Sequence, residues 1–176
     1  MTGLFIAIIV VLAVMLMISV FINYKLAIDK LTKTWVRRVY VLYYRRARKK
    51  GWWVIFVDLD HLRTFNEYGH DVGDKVLRRV GSILTKLSHN RAARYGGDEF
   101  VVISQSPTQE SAMALAEKIR DTVENEPIIY YGTRATVTCI VGRKEQDCKK
   151  AISDSKEKDG GGGRNKVHLA PPSTTH

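Results

Sequence analysis

The order of apolar and polar positions divides the chain before any single residue is weighed. From Thr2 to Tyr24 no position is charged, and positions 5–22 are almost wholly Ile, Val, Leu, Ala, Met and Phe. At helical rise such a stretch crosses a bilayer core of about 30 Å. A cleaved leader would carry a basic n-region and a small-residue cleavage site, and neither is found, so residues 1–24 are expected to be a permanent transmembrane anchor. Positions 25–50 hold no Gly or Pro and read as a basic juxtamembrane helix that continues the span, stopped by Gly51. The apolar run from Trp52 to Val57 closes in Asp58-Leu59-Asp60 and predicts a buried strand over 52–60. Val76, Leu77, Val80, Ile83, Leu84 and Leu87 recur at helical spacing and predict an amphipathic helix over 72–88. A strand over 100–103 follows, and then a helix opened by Pro107, capped by Ser106 and running through Val123. Two β runs, 128–131 and 135–141, turn at Gly132-Thr133; a short polar helix over 145–158 and a last strand over 166–169 complete the pattern. Residues 51–170 thus form one compact domain, with 171–176 as a tail.

Charge changes this picture in one place. The net charge is +10, but ten Lys or Arg face the single Asp29 between Lys25 and Lys50, and the remainder is nearly neutral. No Lys or Arg precedes the apolar span while Lys25, Lys30, Lys33, Arg37 and Arg38 follow it. The positive-inside rule then places the N-terminus outside and the domain in the cytoplasm, a single-pass protein of the inner membrane with no outer sensor domain. A basic stripe directly after an anchor suits anionic headgroups better than nucleic acid. Cys139 and Cys148 have no metal-ligand spacing and are expected to be free thiols.

The candidate chemistry sits in Arg94-Tyr95-Gly96-Gly97-Asp98-Glu99-Phe100, a hairpin tip with two glycines and two carboxylates. Glycines permit positive φ and let a ligand approach without meeting a Cβ. If the 52–60 strand lies beside this hairpin, Asp58 and Asp98 converge. Two carboxylates on neighbouring strand ends suit Mg²⁺, which takes one or two carboxylates plus substrate phosphates. Taken singly, each motif has a local explanation in turn chemistry; taken together they describe a nucleotide site.

These residues resemble the GGDEF-type diguanylate cyclases, palm-like enzymes that condense two GTP into cyclic di-GMP. The likeness spans about residues 29–169: Asp29-Lys30-Leu31-Thr32 with Arg37-Arg38 at the entry, Asp58 through Asp74 in the nucleotide stretch, the signature itself, and Gly163-Arg164-Asn165 at the exit. It implies an α/β fold, a palm-like antiparallel sheet with helices on one side. It implies Mg²⁺ (or Mn²⁺) held by Asp58, the carbonyl of Leu59 and Asp98, with Asp98 or Glu99 assisting deprotonation. It implies Gly96 and Gly97 at the substrate, Asn66 and Asp74 reading guanine, and Lys156 and Arg164 on the triphosphate, with Lys158 as the alternative Lys. It implies finally that two GTP-loaded domains must face each other, so the enzyme works as a homodimer.

The sequence departs from the family in four places. One residue is missing between Asn66 and Gly69, which moves Asn66 relative to Asp74. Asp159 and Gly160 to Gly163 lengthen the approach to Arg164. Leu87 and Asn90 stand where many relatives carry an Arg-x-x-Asp product-inhibition pair, and Arg63 stands for a Lys. The shortened loop and the glycine insertion leave room for a related palm cyclase with another product; a domain that binds GTP without turnover is the other alternative, though its usual mark is a damaged signature and this one is intact. A purely structural membrane protein fits the carboxylate pair poorly. His61 reads as a packed or half-exposed side chain rather than a metal ligand.

Overall fold

Residues 2–130, 132–158 and 164–171 are described by the structure, a computed structural model; the side chains of Thr2 and of residues 155–158 fall outside it. The elements are α1 (Thr2–Ala27), β1 (Trp35–Val36), α2 (Arg37–Lys49), β2 (Trp53–Leu59), α3 (Leu62–Glu67), α4 (His70–Leu87), β3 (Ala92–Arg94), β4 (Glu99–Ser104), α5 (Gln109–Asn125), β5 (Ile129–Tyr130), β6 (Thr133–Arg134), β7 (Val137–Gly142), α6 (Glu145–Lys158) and β8 (Val167–Leu169).

The continuous helix expected across 25–50 is broken. After α1 the Asp29 carboxylate accepts from the Thr32 N–H at 2.8 Å and from its hydroxyl at 2.7 Å. Lys33 turns at φ 61, and Ile28 bridges to Trp35. A short acidic side chain that captures its own downstream backbone offers the chain a turn in place of a helical ladder, which helix-forming composition alone does not reveal. Gly51, at φ 65 with its N–H on the Arg48 carbonyl at 3.1 Å, ends α2 as expected of a left-handed glycine stop.

The sheet runs β1-β3-β4-β2-β7-β8. Its centre is antiparallel, but β1 pairs parallel with β3 and β8 parallel with β7 at the two edges. Helices cover both faces, not one, because β2 is buried along its whole length and must be covered twice. Ile55, Val57 and Leu59 point to α3, α4 and α5 with Phe65, Val76 and Ile119. Val54 and Phe56 point the other way, to α2 and α6 with Tyr40, Ala47, Cys148 and Ile152. β5 and β6 form a separate two-stranded ribbon, so the long run expected from 135 begins as β7 at Val137. The cap of α5 is Thr108, whose hydroxyl accepts from the Ser111 N–H at 3.4 Å. Ser106 instead supports that cap, its Oγ accepting from the Thr108 N–H at 3.2 Å. The α1 helix is exposed from Gly3 to Leu26, its most apolar 18-residue window has mean hydropathy 3.3, and it is long and apolar enough to cross a membrane.

Candidate active site

β2 carries the first acids to the end of the sheet. Apolar pressure buries the strand, and the same register buries Asp58 and Asp60 beyond Phe56 at 5% and 4% exposure. In the β2–β4 ladder Leu59 donates its N–H to the Asp98 carbonyl at 3.0 Å, which makes 59 and 98 a hydrogen-bonded pair. Asp58 therefore lies opposite Glu99 in the adjoining non-hydrogen-bonded pair, where facing side chains come closest. Asp98 sits one residue outside the ladder, half-buried in the bend that closes the hairpin.

The hairpin is the predicted one, but its glycines act differently from the expectation. Tyr95 and Gly96 both send their N–H groups to the Glu99 carbonyl, at 2.8 and 3.1 Å. Neither Gly96 nor Gly97 has positive φ. What Gly96 supplies is clearance: a Cβ there would lie 2.9 Å from Glu99 Oε2, so the carboxylate folds back over the turn. A Cβ on Gly97 would meet nothing within 4 Å, and that side of the turn is open to an approaching ligand.

Two residues that sequence reasoning left without a role hold this site together. Arg94 donates from Nε to the carbonyls of Gly96 and Gly97, both at 3.2 Å, and from Nη2 to that of Gly97 at 2.7 Å. Its Nη1 lies 3.6 Å from Asp29 Oδ1. Burial pulls the Asp29 carboxyl upward, but the Thr32 hydrogen bonds and the Arg94 charge outweigh it and hold Asp29 below the ordinary carboxylate range. Asp60 is the second: it accepts from the hydroxyls of Thr136 and Thr138, each at 3.0 Å, and from the Asn165 N–H at 3.0 Å. An acid two residues after Asp58 was the available signal, since Thr136 and Thr138 alternate just before and within the strand beside it.

Asp60 thereby docks the exit motif and delivers Arg164, whose Nη1 lies 3.1 Å from His61 Nδ1. His61 is exposed and left-handed, φ 61, at the start of α3. Arg164 thus stands beside His61, in the loop that follows Asp60. Lys156 and Lys158, and the glycines 160–163, lie outside the described side chains or residues.

The α3–α4 corner brings Asn66 toward Asp74 despite the missing residue. Gly69, at φ 124, makes the turn and donates to the Asn66 carbonyl at 3.0 Å. A Cβ at Gly73 would lie 2.0 Å from Asn66 Oδ1, so the amide occupies the space that only glycine leaves, one residue from Asp74. Asp74 is half-buried, with Arg78 at 3.8 Å one turn on.

Residues 27–153 match the family described as Diguanylate cyclase, GGDEF domain. The chain belongs to the GGDEF domain family. Among relatives of the GGDEF chain, Diguanylate cyclase A of Treponema denticola is 32% identical over 150 residues, covering 77% of this chain and 39% of that protein. The Probable diguanylate cyclase DgcT of Escherichia coli is 41% identical over 81 residues, 44% of this chain and 18% of that protein. The GGDEF chain thus spans well under half the length of these curated relatives. The crystal structure of the GGDEF domain of DgcB from Caulobacter crescentus, in complex with c-di-GMP, superposes with a TM-score of 0.72 at 27% identity. It covers 83% of this chain and 94% of that one. The fold of the GGDEF domain, a central sheet between helices, is the fold described above.

Proposed function

We propose that the protein is a diguanylate cyclase that condenses two GTP into cyclic di-GMP with loss of pyrophosphate. The observation that carries this reading is the Leu59–Asp98 pairing, which joins the two acid-bearing strand ends beside an open Gly-Gly turn. Asp58, the Leu59 carbonyl and Asp98 are hard oxygen donors, and the set suits Mg²⁺ (or Mn²⁺), which needs only one or two carboxylates when phosphates supply the rest. Among the described residues no group of three or more His, Cys, Asp or Glu lies together as a metal site. Bound there, the ion would neutralise triphosphate charge and polarise the attacking hydroxyl.

The chain's own residues do the rest. Asp74 accepts from the two donors on the guanine edge while the Asn66 amide, seated over Gly73, completes the recognition; adenine would leave the acid unsatisfied. Arg164, with Lys156, takes the triphosphate. Asp98 or Glu99 accepts the proton of the 3′-hydroxyl, whose oxygen attacks the α-phosphorus of the facing nucleotide in line as pyrophosphate leaves. One domain binds one GTP, so the ring closes only between two domains, and the working unit is a homodimer. In this reading α1 anchors the enzyme in the inner membrane, N-terminus outside and catalytic domain in the cytoplasm, which the cations that follow the span support.

The test is incubation of the purified full chain with Mg²⁺ and each nucleoside triphosphate in turn, followed by separation of the products. Cyclic di-GMP from GTP alone is expected, and Asp58→Asn or Asp98→Asn should reduce it by at least about a thousandfold with the fold retained. A different cyclic nucleotide would transfer the mechanism to another base; GTP binding without product would make this a binding domain.

A further inference from the structure

The helix α2 has two faces, and only one of them belongs to the domain. Tyr40, Tyr44 and Ala47 turn inward, Tyr40 and Ala47 at 0% and 1% exposure. On the opposite stripe, at i, i+4, i+7 and i+11, lie Arg38, Leu42, Arg45 and Lys49, all exposed. Leu42 is 67% exposed in the middle of these cations, with Val41 at 37% and Tyr43 at 45% beside it. The helix carries six Lys or Arg and no acid. Among the described residues no carboxylate is ion-paired with Arg45, Arg46, Arg48 or Lys49, although other arginines of the domain, such as Arg79 and Arg120, are paired. Six like charges on four turns repel one another unless a counter-charge is supplied from outside.

The position of the helix says what supplies it. Arg38 donates to the Leu26 carbonyl, in the last turn of α1, so α2 begins at the end of the apolar helix where a membrane surface would lie. We infer that the outer face of α2 docks on an anionic lipid surface, Leu42 entering the headgroup layer while Arg45, Arg46 and Lys49 meet lipid phosphates. A nucleic acid would answer the same charge but not the exposed leucine, nor the tie to α1. The inference rests on α1 spanning the bilayer and goes beyond it, since it seats the domain itself, and not only its span, against the lipid surface.

The test uses the full chain carrying Leu42→Cys labelled with an environment-sensitive fluorophore, Cys139 and Cys148 being buried. It is reconstituted in nanodiscs of phosphatidylcholine alone or with about a third phosphatidylglycerol. Each cation near an anionic surface favours docking about fivefold, so Arg45→Gln, Arg46→Gln and Lys49→Gln together should lower the docked-to-free ratio about a hundredfold. The expected result is a blue-shifted label, quenched by spin-labelled lipid, in the anionic discs only; the triple variant or 1 M salt should abolish it while cyclase activity per molecule in neutral discs stays unchanged. An unresponsive label, or one that responds to added duplex DNA and not to lipid charge, overturns the inference. Insertion is checked separately by alkaline extraction; if α1 does not insert, recruitment of the chain to anionic but not neutral vesicles still supports α2, and equal or no recruitment refutes it.

Discussion

Gly73 and Asp60 show how single atoms fix the site from behind. Replacing Gly73 by Ala puts a methyl where Asn66 Oδ1 now lies, 2.0 Å from it. The displaced atom is the tip of a half-exposed side chain, and Ala is the better helix former by about 1 kcal/mol. Gly73→Ala is therefore expected to leave the melting temperature unchanged or raised while weakening GTP affinity about tenfold or more, readable as a higher KM in steady-state assays. Asp60→Ala should cost stability, and because it frees the exit motif that carries Arg164 it should weaken GTP binding as well. It strands two threonine hydroxyls and the Asn165 N–H, and urea unfolding should show a loss of about 3 kcal/mol. The Cys148 thiol, pushed up to about 12 mainly by burial, should resist alkylation at pH 8 in the native protein and react once it is unfolded.

Among elements, the strands and helices that bury one clean face were legible in the chain: β2 in its apolar run, α4 in its stripe from Val76 to Leu87, and the hairpin in its adjacent glycines. What was not legible depended on contacts far apart in sequence. Arg94 looks like a residue of the signature, yet its fork spans the Gly96 and Gly97 carbonyls and Asp29, sixty-odd positions earlier. The parallel edge pairing of β1 rests on two residues that no periodicity can single out. Because the folded Asp29 carboxyl lies below its unfolded value, its contribution to stability is present above about pH 4 and is lost as pH falls through the folded value. Asp29→Asn should thus be less stable than the parent at pH 7, and the two acid-unfolding curves should converge below about pH 4. Arg94→Lys, which keeps charge but not the planar fork, should fail to restore the activity lost in Arg94→Ala.

At the scale of the whole molecule, residues 28–36 pack as part of the GGDEF domain rather than as its tether. Trp35 and Val36 pair with Ala93 and Arg94, and Gly81 lets the Thr32 carbonyl lie where a Cβ would come within 2.6 Å of it. A chain beginning at Lys30 would lose Asp29 and the Ile28 bridge; one beginning at Ala27 keeps both. The Ala27 form is expected to be soluble and, when dilute, nearly inactive, its turnover per molecule rising over about a hundredfold concentration range as dimers form. A parallel coiled coil fused at Ala27 should restore it, and equal turnover at every dilution would show that the domain dimerises unaided. The stitched linker also removes any swivel between the span and the hairpin. Each residue inserted into a helix rotates the downstream chain by about 100°, and with no slack to absorb the turn, the angular phase of the incoming helix is passed to the two facing sites. Turnover across a series of one-residue insertions before Ala27 should rise and fall with the helical repeat instead of declining steadily with length.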